Sequence, residues 1–219
     1  WRDGAQRERA PMTASTVDYD VIIAGAGLVG LSLAPALVNA GLSVALVDRA
    51  SVTMPESPPA GEGWDTRVYA ISPGSAAFLR AQGAWQALPP DRIAPVESMC
   101  VEGDAGGLLN FSAYDMGERA LAWIIEERAL RAALVPLVRS AGVAVHAPCA
   151  FEALSFSPDG AVLRCAGGTS LTARLVVGAD GLRSRVRAAA GITAVANSYG
   201  QTAVVANFTC ERAHRGRAL

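Results

Sequence analysis

An excess of charge is the first thing this sequence lacks: 19 Lys and Arg stand against 20 Asp and Glu, a net charge of −1. That balance gives no general electrostatic case for nucleic acid or an anionic membrane surface as a partner. Histidine is scarce, with only His146 and His214. The four cysteines, Cys100, Cys149, Cys165 and Cys210, are widely spaced and form no C-x-x-C. No metal site is expected from so thin a ligand set; the expectation is four buried free thiols in a reducing compartment. No Ser/His/Asp or Cys/His constellation is visible, so no catalytic side chain is assigned. Internal repeats and low-complexity segments are absent. An unbroken apolar span is missing too. No charged residue lies between Asp20 and Asp48, but Gly25, Gly27, Gly30, Pro35 and Gly41 punctuate that run, which argues against a membrane span there. What is present is 51% hydrophobic and 18% charged residues over 219 positions, enough for a well-packed core in one large domain or one and a fraction.

The chain is organised around residues 20–49. Val21 to Ala24 is a short apolar run rich in β-branched residues, suited to a buried parallel strand. Gly25-Ala26-Gly27-Leu28-Val29-Gly30 follows and fits G-x-G-x-x-G. Leu31 to Ala40 reads as a helix with Gly41 as its stop, and Ser43 to Val47 as a second strand ending at Asp48. In such a unit the glycines let the backbone turn tightly and approach a pyrophosphate. The helix N-terminus faces the phosphates, and the acid accepts from ribose hydroxyls. Glycines that serve packing alone are the competing reading; the strand before, the helix after and the acid beyond weigh against it. Pro35 falls inside the helix, where a missing donor and a ring clash predict a kink.

Elsewhere, Trp1 to Pro11 is polar and looks like upstream sequence, with Met12 the natural start. Ala50 to Gly63 reads as a loop and Ser72 to Gln82 as a helix. Val96 to Glu102 and Leu108 to Ser112 form an expected hairpin, and Glu126 to Ala141 is the clearest helix, before a strand at Val143 to His146. Ala153 to Ser157 pairs with Ala161 to Ala166, Ser170 to Val177 leads into Gly178-Ala179-Asp180-Gly181, and Ser184 to Gly191 is a short helix. Tyr199 to Cys210 is apolar and β-rich, which predicts a strand. His214 carries no assigned chemistry.

Five separated segments carry a resemblance. They are the glycine turn; Trp64-Asp65-Thr66-Arg67-Val68-Tyr69-Ala70-Ile71-Ser72; Trp123-Ile124-Ile125-Glu126-Glu127-Arg128-Ala129-Leu130; Val176 to Arg187 around Asp180-Gly181; and Tyr199 to Ala218. In this order they resemble the aromatic-ring flavoprotein monooxygenases, and within them the ubiquinone-biosynthesis hydroxylases of polyprenylated phenols. Taken singly, each has a plain reading: Asp65 and Arg67 a surface ion pair, Glu126 to Arg128 a solvated first helical turn, Asp180-Gly181 an ordinary turn.

The resemblance implies an α/β fold: a Rossmann-like FAD-binding domain at 17–198, after a tail at 1–16 expected to be disordered. The first strand of a substrate domain would follow at 199–219. It implies FAD, with NAD(P)H as reductant and O2 and a prenylated phenol as substrates. The implied FAD contacts are Gly25, Gly27, Gly30, Asp48, Arg67, Arg128, Asp180 and Gly181, with the choice between Glu127 and Arg128 left open. Two departures stand out. Asp48 sits where the family more often has Glu, and no further G-D motif follows Cys210, so the chain looks like the N-terminal portion of such an enzyme. A cytoplasmic location peripheral to the inner membrane, or association with a biosynthetic complex, is expected from the prenyl tail. Another FAD- or NAD-dependent oxidoreductase on the same fold and a non-catalytic FAD-binding protein are the alternatives.

Overall fold

The computed structural model describes residues 17–55 and 63–219. The expected tail at 1–16, with its start at Met12, lies outside the described residues, as does 56–62 of the expected loop. The chain runs β1 (Tyr19–Ala24), α1 (Leu28–Asn39), β2 (Val44–Val47), β3 (Val68–Ile71), α2 (Pro73–Ala81), β4 (Ile93–Val96), β5 (Ser98–Glu102) and β6 (Leu108–Ser112). It continues through β7 (Ala122–Glu126), α3 (Glu127–Ser140), β8 (Ala144–His146), β9 (Phe151–Ser157), β10 (Gly160–Cys165), β11 (Ser170–Gly178), α4 (Arg185–Ala189) and β12 (Arg217–Ala218).

The main sheet has the order β8-β2-β1-β11-β10-β9. Its β8, β2, β1 and β11 are parallel, and β10 and β9 continue it antiparallel. Both faces of its centre are covered. Val21, Ile23, Val44 and Leu46 pack with Leu31 and Ala34 of α1 and Leu130, Leu134 and Val138 of α3. Ile22, Ala24, Ala45 and Val47 pack on the other side with Leu163, Leu171, Ala173 and Val186. A strand buried on both faces has no position for a polar residue, which accounts for the uncharged stretches Val21–Ala24 and Val44–Val47. Two three-stranded sheets, β3-β7-β4 and β12-β5-β6, complete the fold. The expected hairpin is β5–β6, paired from Ser98↔Ser112 to Glu102↔Leu108.

Three expectations are corrected. The first helix begins at Leu28, not Leu31, because Gly27 takes the extended cap conformation and its carbonyl accepts from the Leu31 N–H at 2.9 Å. Gly30 therefore lies in the first helical turn. The strand expected over Tyr199 to Cys210 is not formed. A strand exists by pairing, and no described strand ladders with this run, whose Val204 and Phe208 stay exposed. The cysteines are not four free thiols: Cys149 and Cys165 form a disulfide, Cys100 is half-buried and Cys210 exposed. The antiparallel β9–β10 pair, which sets Cys165 opposite Phe151, brings the bonded pair together.

Both α1 and α3 run on through an internal proline, Pro35 and Pro136. Pro35 leaves the Leu31 carbonyl without its intrahelical donor. Pro35→Ala restores that donor, against which the loss of a buried ring counts only partly. We expect a raised melting temperature; a clear fall would show that the ring's packing outweighs the helix bond.

Candidate functional site

A cleft of about 1050 Å³ opens at the carboxyl ends of β1, β2 and β11, where Ala24, Val47 and Ala179 line it. This is the edge at which open α/β sheets bind ligands. The turn from β1 into α1 forms one wall, and its three glycines do different work. Gly25, at φ +110, sits where a Cβ would come within 2.3 Å of the Ala179 carbonyl oxygen, so β1 and β11 close on each other only through it. A Cβ on Gly30 would stand 1.9 Å from the Gly25 carbonyl oxygen, so Gly30 lets α1 pack onto the turn. Gly27 meets nothing within 4 Å and lines the cleft, so its missing side chain serves open space rather than packing. Directly after it, α1 starts with no side-chain cap and no acid in its first turn. Among the described residues no side chain caps the leading N–H groups at the positive end of its dipole.

Asp48 follows β2 and lines the cleft beside the turn. Its Oδ2 accepts from the Ala26 N–H at 2.6 Å and its Oδ1 from the Ala50 N–H at 2.8 Å. Asp180 and Gly181 enter from the end of β11. Asp180 Oδ2 accepts from the N–H groups of Arg185 and Val186 at 2.6 and 3.2 Å, tying the loop to the start of α4. Burial pushes the Asp180 carboxyl up, but hydrogen bonds from Ser184, Val186 and Arg185 together hold it below its ordinary value. A carboxyl lowered on folding contributes stability that is present above the ordinary 3.8 and lost as pH falls through the folded value. The amide resonances of Arg185 and Val186 are therefore expected to titrate together with a midpoint below 3.8. Asp180→Asn should abolish that step, and an unchanged titration in the variant would refute the assignment.

Arg67 reaches the cleft with its side chain 75% exposed, and its Nη1 donates to Glu127 Oε2 at 3.0 Å. That hydrogen bond and charge hold its guanidinium above the usual value. Asp65 and Arg67 are not a surface ion pair. Asp65 Oδ1 accepts from the Arg67 N–H at 2.9 Å and its Oδ2 from the Arg128 N–H at 3.2 Å, capping the start of α3. The Arg128 guanidinium turns to the Gly63 carbonyl at 2.7 Å and lies outside the cleft wall. Behind it the carboxylate of Glu126, 5% exposed, receives Arg92 Nη1 at 3.0 Å, Arg128 Nη2 at 3.6 Å and the Asp65 N–H. The structure thus gathers Gly25, Gly27, Asp48, Arg67, Asp180 and Gly181 on one cleft, with Gly30 just behind it.

Arg49, Arg131, Arg183 and Arg185 line the same cleft and were not singled out from sequence. Arg131 lies one turn along α3 from Arg128, and only that spacing hinted at it. The chain has no lysine, and all 19 of its Lys and Arg positions are arginine. The forked donors of arginine match phosphate oxygens, so the cleft suits an elongated anionic ligand.

The family model described as an FAD binding domain matches residues 18–214. The ubiquinone hydroxylase UbiL of Rhodospirillum rubrum is 36% identical over 213 residues, 95% of this chain and 48% of that protein. The 3-demethoxyubiquinol 3-hydroxylase of Escherichia coli is 30% identical over 195 residues, 88% of this chain and 49% of that one. Among solved structures, a ternary complex of aklavinone-11 hydroxylase with FAD and aklavinone matches with a TM-score of 0.58 at 25% identity, covering 80% of this chain and 35% of that one. The chain spans about half the length of the curated relatives it matches.

Proposed function

The chain belongs to the FAD binding domain family, and from that premise we propose that in the whole protein it serves the hydroxylation of a polyprenylated phenol ring in ubiquinone biosynthesis. The observation that carries this reading is the likeness, along 88% to 95% of the chain, to a ubiquinone hydroxylase and a 3-demethoxyubiquinol 3-hydroxylase. The glycine cradle supports the cofactor. Gly25 and Gly30 are filled to contact by backbone while Gly27 leaves the turn open to a pyrophosphate, as an FAD diphosphate would need.

In this reading Gly25, Gly27 and the first N–H groups of α1 hold the diphosphate, with Gly30 keeping the helix close. Asp48 accepts from the adenosine ribose. Asp180 and Gly181 border the cofactor from β11, and Arg67 meets it on its exposed side. Arg128, directed at Gly63, would hold the loop that carries Arg67. Bound FAD would supply the redox chemistry, taking electrons from NAD(P)H and activating O2. The chain's own residues bind, orient and exclude water from it. Among the described residues no helix is long and apolar enough to cross a membrane, and association through the prenyl tail or a partner complex is part of the proposal.

The test is to supply the whole protein with FAD, NADH or NADPH, O2 and short-chain polyprenylphenols. Hydroxylated phenol in step with nicotinamide oxidation is the expected result. Hydrogen peroxide alone with every such phenol, or product from an unrelated aromatic only, would overturn the substrate assignment.

A further inference from the structure

The backbone of Ala26, at the centre of the glycine turn, is held on both sides by opposite charges. Its N–H donates to Asp48 Oδ2 at 2.6 Å, from β2. Its carbonyl accepts from Arg131 Nη1 at 3.1 Å, from α3. Ala26 itself is 5% exposed, so these two contacts pair backbone groups that have little access to water. Two successive peptide planes are fixed in this way, and Gly27, next in line, is the glycine that opens onto the cleft.

Arg131 also differs from the other arginines of the cleft in its burial. Arg67 is paired with Glu127, and Arg49, Arg183 and Arg185, which also make no ion pair among the described residues, are exposed. Arg131 makes no ion pair among the described residues, although it is half-buried and lines the cleft. A half-buried guanidinium with one N–H spent on a carbonyl keeps its full charge for an anion brought beside it.

We propose that Arg131 is the residue that recognises the diphosphate: one arm of its fork fixes the glycine turn through Ala26, and its unpaired charge meets the phosphates. Nothing in the G-x-G-x-x-G pattern calls for this arginine, because it comes from a different helix more than a hundred residues along the chain. The inference rests on the reading of the cleft as a dinucleotide site, and the experiment separates the two.

ADP and adenosine are titrated against the chain and against Arg131→Gln and Arg131→Lys, with a thermal melt of each. The parent chain is expected to prefer ADP strongly. Arg131→Gln should weaken ADP by roughly 10-fold to 100-fold, the range for a lost charged hydrogen bond, and leave adenosine within about 2-fold. Arg131→Lys keeps the charge but not the planar fork and should fall between the two. It also carries the test if the glutamine variant does not fold. A parent with no preference for ADP would sink the dinucleotide reading itself. A parent that prefers ADP, with a glutamine variant that prefers it equally or a lysine variant as good as the parent, would overturn the role of Arg131 alone. Equal loss of ADP and adenosine together with a lowered melting temperature would also overturn it, since that is what a purely structural arginine gives.

Discussion

Gly30→Ala is expected to destabilise the chain by about 3 kcal/mol, the upper part of the range for overpacking a close-packed site. The new Cβ would stand 1.9 Å from the Gly25 carbonyl oxygen, and that neighbour is backbone rather than the end of a flexible side chain. Relief requires α1 to lift from the turn, and Leu31 and Ala34, which bind the helix to the sheet, move with it. Gly27→Ala is expected to behave in the opposite way. Its Cβ meets nothing within 4 Å and its φ is −74, so the variant should fold like the parent and lose only the close approach of a diphosphate. Denaturant melts and FAD titrations of both variants check the pair. A Gly30→Ala chain as stable as the parent would show that the helix has freedom the packing does not suggest. A Gly27→Ala chain that binds FAD normally would move the diphosphate away from the turn.

Glu126→Ala should cost about 3–5 kcal/mol, the range for removing one partner of a buried ion pair. The carboxylate is 5% exposed and is the meeting point of Arg92, Arg128 and the Asp65 N–H. Arg92, its side chain 18% exposed, would keep its charge facing the Trp64 ring at 4.2 Å and, as its one remaining ion-pair partner among the described residues, the peripheral Asp91 at 3.6 Å. The damage should extend to the loop 63–67, since Asp65 is fixed from Glu126 and in turn caps α3 and bonds the Arg67 N–H. Arg67 would then lose its place on the cleft. Chemical denaturation gives the stability loss, and proteolysis next to Arg67 reports the loosened loop. A loss under about 1 kcal/mol, the range of a surface ion pair, would contradict the buried-network account.

The unit β1–α1–β2 was legible in the sequence because period and punctuation agree there. Both faces of β1 are buried from Val21 to Ala24, so no polar residue interrupts that stretch, and the glycines follow directly at its end. The α3 helix was legible for the same reason, its Leu130, Leu134 and Val138 forming one buried stripe. What each glycine does was not legible, since the pattern does not say which Cβ would meet Ala179 and which would meet space. Arg131 was hidden because its partner is a backbone carbonyl 105 residues away. Glu126 looked like one acid of a solvated helical turn, and only the arrival of Arg92 and Asp65 from other segments makes it a buried hub. The disulfide was hidden because Cys149 and Cys165, 16 residues apart, meet only through the β9–β10 pairing. The run 199–210 shows the converse failure. Its composition favours a strand, but a strand is a property of pairs, and no partner lies beside it among the described residues.

The central claim is that the glycine turn, Asp48 and Asp180 hold FAD at the carboxyl edge of the main sheet. The most direct measurement is a competition titration on this chain, in which FAD fluorescence is followed as ADP or NAD is added. The account predicts saturable FAD binding that ADP displaces, with NAD a weak competitor. Tight binding of NAD with FAD left free in solution would contradict it.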